Sequence, residues 1–135
     1  MYKRQGEEFV ITNGNKRFTR AIYGTNTGFR FETSDFPEFG LYMPNLGGSV
    51  YMAISTPSNI TWIKDMEFIE SRFKSGQRTY IVRDRRHLGN GSLTIDAVAM
   101  SDGDGLVVRY KAKDIPAGTK ILWIYGGSQQ SEIRT

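Results

Sequence analysis

The sequence predicts an all-β fold, an antiparallel β-sandwich, from three observations. Short runs of aromatic and β-branched residues recur along most of the chain. Glycine, asparagine and proline interrupt these runs at short intervals, as tight turns between antiparallel strands require. About ten such runs follow one another at regular spacing, which is typical of sandwiches and barrels.

Length and composition indicate one folded domain over residues 1–135. At 15.3 kDa the chain has room for one ordinary core, and its 39% hydrophobic residues are enough to form it. The absence of cysteine excludes disulfides, thiol nucleophiles and cysteine-ligated zinc. No segment approaches the roughly 20 apolar residues of a membrane span, and no signal-peptide pattern follows Met1.

The first predicted strands surround an Asn-Gly pair. Residues 9–12 form a short β-like run that enters Asn13 and Gly14, the strongest signal for a hairpin with a type I′ turn. Residues 17–23 should then pair back on that run, as an edge strand, because neither of their faces is cleanly apolar. Residues 29–33 alternate strictly, and both of their phenylalanines should face the core.

The next segment predicts two strands separated by turns. Residues 34–38 form a polar loop whose proline cannot donate to a strand ladder. Residues 39–43 and 49–54 each place alternate apolar side chains inward. The glycine-rich stretch at 44–48 predicts the turn between them.

Residues 60–74 are ambiguous between helix and strand. Four apolar residues recur there at near-helical spacing: Trp62, Met66, Ile69 and Phe73. We favour a strand over residues 67–73, because the neighbouring pattern repeats hairpins and good helix caps are absent.

The rest of the chain alternates strands and turns. Runs of β-branched and apolar residues predict the strands, and clusters of glycine with asparagine, aspartate or proline predict the turns. The strands lie at 79–83, 93–99, 106–111 and 120–125, with turns at 88–91, 101–105 and 114–118.

Charge gives a mild indication of an anionic partner. The formal net charge is +4 and the pI is about 9.4. Bases and acids are interleaved over most of the chain, and the densest basic cluster, residues 83–87, reads as an ordinary solvated loop. We therefore do not expect nucleic acid as the partner, although a basic, nucleic-acid-binding β-barrel remains an alternative.

No catalytic, metal-binding or cofactor-binding set is predicted. Asp102 and Asp104 lack the further ligands of a calcium loop and suit a hairpin turn. Asp35 and Glu38 could act as paired acids across a cleft, but two acids on one loop more often cap turns and pair with arginine. His87 is the only histidine, and we expect it on a surface loop rather than in a nucleophilic triad.

Aromatic residues are the more promising functional material. Alternation over residues 120–125 places Trp123 and Tyr125 on one face. If that face is exposed, the two rings form a stacking surface for sugars or bases; if it is covered, they belong to the core. Apolar residues on both faces of this strand favour the core. Trp62 is a second candidate for stacking.

Four stretches carry a resemblance to a known family. They read GNKRFTRAIYGTNTGFRFE at 14–32, DFPEFGLYMP at 35–44, GG at 47–48 and LWIYGG at 122–127. Together they resemble a bacterial family of unknown function that forms the amino-terminal region of large proteins similar to glycoside hydrolases.

The resemblance implies a supersandwich-like domain, or a truncated part of one, ahead of a helical toroid that carries the catalytic carboxylates. This chain would then be the non-catalytic N-terminal domain of a protein similar to glycoside hydrolases. It would pack against the catalytic domain of its parent protein and contribute to binding an oligo- or polysaccharide. The alternative is an independent carbohydrate-binding module. A periplasmic or extracellular location is implied, with the signal peptide outside this chain.

The site prediction that follows has two groups of residues. Residues predicted to contact carbohydrate are Trp123, Tyr125, Trp62 and Arg30. Residues predicted to lie on an interdomain or cleft loop are Tyr23, Asp35 and Glu38. No catalytic residue of the family can be assigned to a position in this chain.

Overall fold

The computed structural model describes residues 3–5, 8–24, 28–43, 46–101 and 103–129. The strands are β1 (Lys3–Gln5), β2 (Glu8–Thr12), β3 (Arg20–Tyr23), β4 (Arg30–Thr33), β5 (Phe39–Met43), β6 (Leu46–Thr56), β7 (Asn59–Trp62), β8 (Phe68–Lys74), β9 (Gln77–Arg83), β10 (Ser92–Ala99), β11 (Leu106–Lys113) and β12 (Lys120–Gln129). A 3₁₀ turn covers Ile63–Asp65 and a short helix, α1, covers Arg85–Leu88. Neither of these is long or apolar enough to cross a bilayer, and the described residues hold no other helix.

The strands form two antiparallel sheets. Sheet A has the order β1-β2-β8-β9-β10-β11, and sheet B has the order β12-β6-β5-β4-β3, with β7 also paired to β6. The predicted all-β antiparallel sandwich is thus confirmed. The described strands do not close into one barrel, the architecture on which the nucleic-acid alternative depended.

The core lies between the two sheets because apolar residues alternate along the strands. The buried inward positions include Phe31 of β4, Val50, Met52 and Ile54 of β6, and Leu93, Ile95 and Ala97 of β10, whereas Ala99 is only partly buried. Burying such side chains contributes about 1.5–3 kcal/mol each. The fully buried apolar members of the cluster include Phe31, Phe39, Ile54, Tyr80, Val82, Leu93 and Ile95.

Strand β6 is the central element of sheet B. Its residues pair with β12 along one side. Along the other side they pair first with β5 and then with β7. Val50, Met52 and Ile54 face the core, so the alternate residues of β6 face outward.

The predicted hairpin at Asn13 and Gly14 is wrong. Strand β2 pairs with β1 and β8, and β3 pairs with β4. Asn13 has φ of 52°, but it extends the pairing of β2 with β8: its N–H donates to the Ile69 carbonyl at 2.8 Å, and its Oδ1 accepts from the Ile69 N–H at 2.9 Å. The chain then crosses from sheet A to sheet B.

Other local predictions have mixed outcomes. The strand favoured at 67–73 is confirmed as β8, preceded by the 3₁₀ turn. The turn at 101–105 is confirmed by the bond from the Met100 N–H to the Gly105 carbonyl at 2.8 Å, although Asp102 lies outside the described residues. The turn predicted at 44–48 is too long, since Gly47 and Gly48 already belong to β6; residues 44–45 lie outside the described residues.

Candidate functional site

The outer face of sheet B has a floor of small residues. Gly40 and Gly126 both pair with Ser49, so the three lie side by side across β5, β6 and β12. Phe18 and Tyr42 cover Gly40, where a Cβ would lie 3.1 Å from the Phe18 ring and 3.3 Å from the Tyr42 ring. A Cβ at Gly126 would meet no atom within 4 Å. The open floor therefore consists of Gly47, Ser49 and Gly126.

An arginine and a tyrosine border one end of this floor. Tyr42 pairs with both Gly47 and Arg30 across neighbouring strands. The Arg30 Cζ lies 4.9 Å from the Tyr42 ring centroid, a cation–π arrangement. Arg30 Nε also lies 3.6 Å from Oε1 of Glu32, and the two side chains are 47% and 23% exposed. This end presents donors and acceptors to solvent.

Aromatic residues border the other end. Trp62 of β7 pairs with Ala53 of β6. Its ring meets that of Tyr51 edge to face, with centroids 6.4 Å apart. Ile124 pairs with Tyr51 from the other side. Trp62 remains 41% exposed. We call the floor and its two ends, with Arg30, Glu32 and Tyr42 at one and Tyr51, Trp62 and Ile124 at the other, the outer platform.

A chain of hydrogen bonds fixes the position of Trp62. The Thr61 hydroxyl lies 2.9 Å from His87 Nε2, and His87 Nδ1 lies 3.0 Å from Asp84 Oδ1. Asp84 caps α1 by accepting from the His87 N–H, and it also accepts from the Glu67 N–H at 3.0 Å. The surface-loop prediction for His87 is wrong, because its side chain is largely buried in α1.

Hydrogen bonds also decide the ionisation of Asp84. Burial alone would raise its pKa, but the bonds from the Glu67 N–H and from His87 outweigh burial and hold the pKa below its ordinary value. The order hydroxyl, imidazole, carboxylate also occurs in hydrolase triads. Here the Asp84 carboxylate already accepts hydrogen bonds at the start of α1 and from the Glu67 N–H. We therefore assign this series of hydrogen bonds a structural role, which is to join β7 to α1.

Trp123 and Tyr125 lie on the opposite side of sheet B from the outer platform. They pair with Met52 and Val50, whose side chains face the core. Because β12 is an edge strand in the described structure, sheet A covers them only in part, and they are 42% and 64% exposed. Each of the two interpretations of the sequence therefore holds in part. Trp123 and Tyr125 point to the core side of sheet B, but their rings are accessible to solvent.

A tyrosine from sheet A meets the ring of Trp123. Tyr110 of β11 pairs with the buried Ile95, so it too points toward the interior. Its ring centroid lies 6.3 Å from that of Trp123. Tyr125 lies across Gly48, where a Cβ would come within 2.7 Å of the tyrosine hydroxyl oxygen. We call this opening between β11 and β12, lined by Tyr110, Trp123 and Tyr125, the open flank.

Tyr23 lies on β3, at the edge of sheet B farthest from the open flank. It pairs with Arg30 on the outer face and is 70% exposed. It also lines a cleft of about 450 Å³ between β2, β3 and β8, together with Phe9 and Phe73. The Arg20 Cζ lies 5.2 Å and 5.4 Å from the rings of these two phenylalanines.

Asp35 is buried rather than placed at an exposed cleft. Its side chain and that of Arg78 are both fully buried, with Arg78 Nη2 donating to Asp35 Oδ1 at 3.3 Å. Arg78 also donates to Ser71 at 2.6 Å and to Thr19 at 3.0 Å. The Tyr80 hydroxyl, whose pKa is raised by burial, donates to a backbone carbonyl beside this group. We call Arg78, Asp35 and Tyr80 the inner cluster; it joins sheet A to the loop after β4.

Glu38 is also largely buried. Its carboxylate lies 3.4 Å from Arg17 Nε. Burial raises the pKa of Glu38, and the charge of Arg17 only partly opposes the shift. The pairing of both loop acids with arginine agrees with the ordinary reading of the sequence.

Metal binding finds no support in the part of the chain that the structure describes, where no group of three or more candidate ligand side chains occurs. Acidic and imidazole side chains there serve in caps and ion pairs instead.

Of the nine residues of the outer platform, sequence reasoning named only Arg30 and Trp62 as site residues. Tyr42 and Tyr51 alternate with inward-facing residues, so strand periodicity alone placed them outside. The small floor residues gave no signal by themselves. Strand periodicity does not give the register of β6 with β12. That register places residues far apart in the chain side by side on the platform.

The fold and its surfaces define a class: an antiparallel β-sandwich domain with an accessible aromatic face on each side of one sheet. The family model DUF4450, described as a domain of unknown function, matches residues 43–133. The chain therefore belongs to that family, and the predicted membership in a family of unknown function is confirmed. No curated protein and no solved structure shows significant similarity to the chain.

Proposed function

We propose that this chain is a non-catalytic domain of a carbohydrate-active protein, and that it packs against a catalytic domain of the same parent protein. The main support is the open flank, where Tyr110, Trp123 and Tyr125 point inward but are 51%, 42% and 64% exposed. Aromatic side chains clustered in this way mark interaction surfaces. A neighbouring domain would supply the missing cover. The carbohydrate context comes from the family resemblance of residues 14–48.

The flank favours docking of side chains over addition of a strand. Arg109, Lys111 and Lys113 project from β11 and are exposed. Charged side chains on an edge strand oppose edge-to-edge pairing. Because these three side chains alternate with the inward-facing Tyr110, they lie on the outer face of sheet A, and a partner that covers the open flank meets its aromatic side chains.

A non-catalytic role agrees with how the carboxylates are used. Asp35 and Glu38 are buried against arginines, and Asp96 accepts from Thr79 at 2.7 Å and from Arg109 at 3.0 Å. Glycosidases instead need two carboxyl groups facing each other across a substrate cleft. In this proposal the bond-breaking acids belong to the catalytic domain.

The test is complex formation in trans. The chain and the remainder of its parent protein are expressed separately, mixed, and analysed by size-exclusion chromatography with light scattering. We expect a one-to-one complex that Trp123→Lys weakens by at least about tenfold, because a charge would be buried in an apolar gap.

Trp62→Lys is the matched control, since Trp62 has the same exposure but lies on the other face of sheet B. It should leave the complex intact. Absence of a complex, or equal weakening by both variants, would contradict docking at the flank. Release of reducing sugar from a polysaccharide by the chain alone would contradict the non-catalytic role.

The carbohydrate role also implies a periplasmic or extracellular location, as the resemblance does. Fractionation of cells that produce the parent protein tests this, and recovery in the cytosolic fraction would contradict it.

A further inference from the structure

We propose that the outer platform binds an uncharged oligosaccharide along strand β6, with Trp62 at one end and Arg30 and Tyr42 at the other. The ligand class rests on the carbohydrate-active role proposed above. The outer platform does not depend on the docking proposed for the open flank, because it lies on the opposite face of sheet B.

The floor leaves room for a ligand to lie close to the backbone. Ser49 is partly exposed, and Gly126 is exposed with open space where a side chain would stand. Larger side chains at these positions would fill the space between the two ends. The small floor residues thus leave space for a ligand between the two ends.

The dimensions suit a short oligosaccharide. Tyr42 lies opposite Gly47, and Trp62 lies opposite Ala53, on the same side of β6. The six steps from residue 47 to residue 53 span about 20 Å at roughly 3.3 Å per strand residue. A chain of a few sugar rings can therefore reach both ends at once.

The Trp62 end offers a surface for the apolar face of a sugar ring. Trp62 is 41% exposed, and its contact with Tyr51 fixes its orientation. The bonds through Thr61 and His87 hold its strand in place. A ring held in this way loses little conformational entropy when it stacks against a ligand.

The Arg30 end offers hydrogen bonds without net charge. Its guanidinium is a planar donor and the carboxylate of Glu32 is an acceptor, and adjacent sugar hydroxyls can use both. Because the two charges offset each other, the platform favours an uncharged ligand over an anionic one. Nucleic acid would require several unpaired cations, which the platform residues do not provide.

The experiment measures binding of cellohexaose, xylohexaose and mannohexaose by calorimetry, with hexagalacturonate as the charged counterpart. We expect at least one neutral hexasaccharide to bind. Gly126→Leu should abolish this binding while keeping the fold, because a Cβ at this position meets no atom within 4 Å and the rest of the side chain extends over the floor. Trp62→Ala should weaken it by about tenfold through lost stacking.

Trp123→Ala is the matched control, with 42% exposure on the inner face, and should leave sugar binding unchanged. Near-ultraviolet circular dichroism verifies the fold of each variant. If Gly126→Leu does not fold, the result for Trp62→Ala is the test. No binding of any neutral hexasaccharide, binding of hexagalacturonate alone, or loss of binding in Trp123→Ala would overturn the inference. Failure of domain docking would not contradict the inference of oligosaccharide binding, because docking is measured by formation of the complex in trans and not by sugar binding.

Discussion

The molecule contains the same chemical arrangement twice, once inside and once outside. Arg78 pairs with Asp35 between the sheets, and Arg30 pairs with Glu32 on the outer face of sheet B, each arginine lying over a tyrosine ring. The ion-pair distances are similar, 3.3 Å and 3.6 Å. The inner pair has no solvent exposure, whereas Arg30 is 47% exposed.

This comparison shows that burial decides what an ion pair does. Inside, each charge needs the other, since an unpaired buried charge is strongly destabilising. Outside, water already solvates both groups, so the pair contributes little to stability and its polar atoms can exchange water for a ligand. The predictions below vary the two regions in turn.

The largest expected effect comes from the inner cluster. Arg78→Ala removes the buried partner of Asp35 and the donor to Ser71, Thr33 and Thr19. We expect a loss of about 3–5 kcal/mol in the free energy of unfolding, measured by urea denaturation. A loss below about 1 kcal/mol is the usual range of an exposed pair. It would contradict the view that burial makes the inner pair more important for stability than the outer pair.

An intermediate effect is expected at Asp84, whose side chain is 7% exposed. Asp84→Ala removes the cap of α1 and leaves the Glu67 N–H without its carboxylate acceptor. We expect a loss of about 1–2 kcal/mol, together with a change in Trp62 fluorescence measured in a Trp123→Phe background. Asp104→Ala is the control, since Asp104 is exposed. An unchanged Trp62 signal would refute the link between α1 and the platform.

The pH dependence separates the carboxylates further. Burial alone would raise the pKa of Asp96, but hydrogen bonds from Thr79 and Arg109 outweigh burial and lower it; the pKa of Asp84 is lowered likewise. A lowered pKa in the folded state means that the stabilisation is complete above the unfolded pKa, about 3.9, and is lost as the pH falls through the folded value.

We therefore expect the urea midpoint to fall as the pH drops below about 4. Asp96→Asn should flatten this part of the profile, whereas Asp104→Asn, at an exposed position, should not. A profile equally steep in Asp96→Asn would remove Asp96 from the explanation.

The smallest effect on stability is expected at the outer pair. Arg30→Ala should change the free energy of unfolding by less than about 1 kcal/mol, but it should weaken oligosaccharide binding several-fold, because a hydrogen-bond donor is lost at one end of the platform. Calorimetry and urea denaturation on the same preparation check both parts. A large loss of stability with unchanged affinity would make the outer pair equivalent to the inner one.

The sequence predicts the fold class well because its evidence is local. Turn residues and two-residue alternation suffice to place the apolar faces of β4, β6 and β10. The hairpin at Asn13 failed because an asparagine with positive φ serves equally well at a crossing between sheets, where its side chain bonds to Ile69. Helix α1 was missed because one turn is too short to show a period.

The candidate site was only partly accessible to the same reasoning. Trp62 and Arg30 were identified, but nothing local shows that β7 and β4 lie on the same side of β6. Asp35 and Glu38 attracted attention as acids, yet both are buried, Asp35 against Arg78 of the other sheet and Glu38 beside Arg17. These are non-local pairings, which periodicity does not encode.

Strand β6 serves two surfaces at once. Val50, Met52 and Ile54 support the interior, and Gly47, Ser49 and Tyr51, on the other face of the strand, belong to the outer platform. Insertion or deletion of one residue would exchange the two sets, turning apolar side chains to water and the platform residues inward. Substitutions along this strand can therefore change one face without changing the other, whereas a change of one residue in its length alters both.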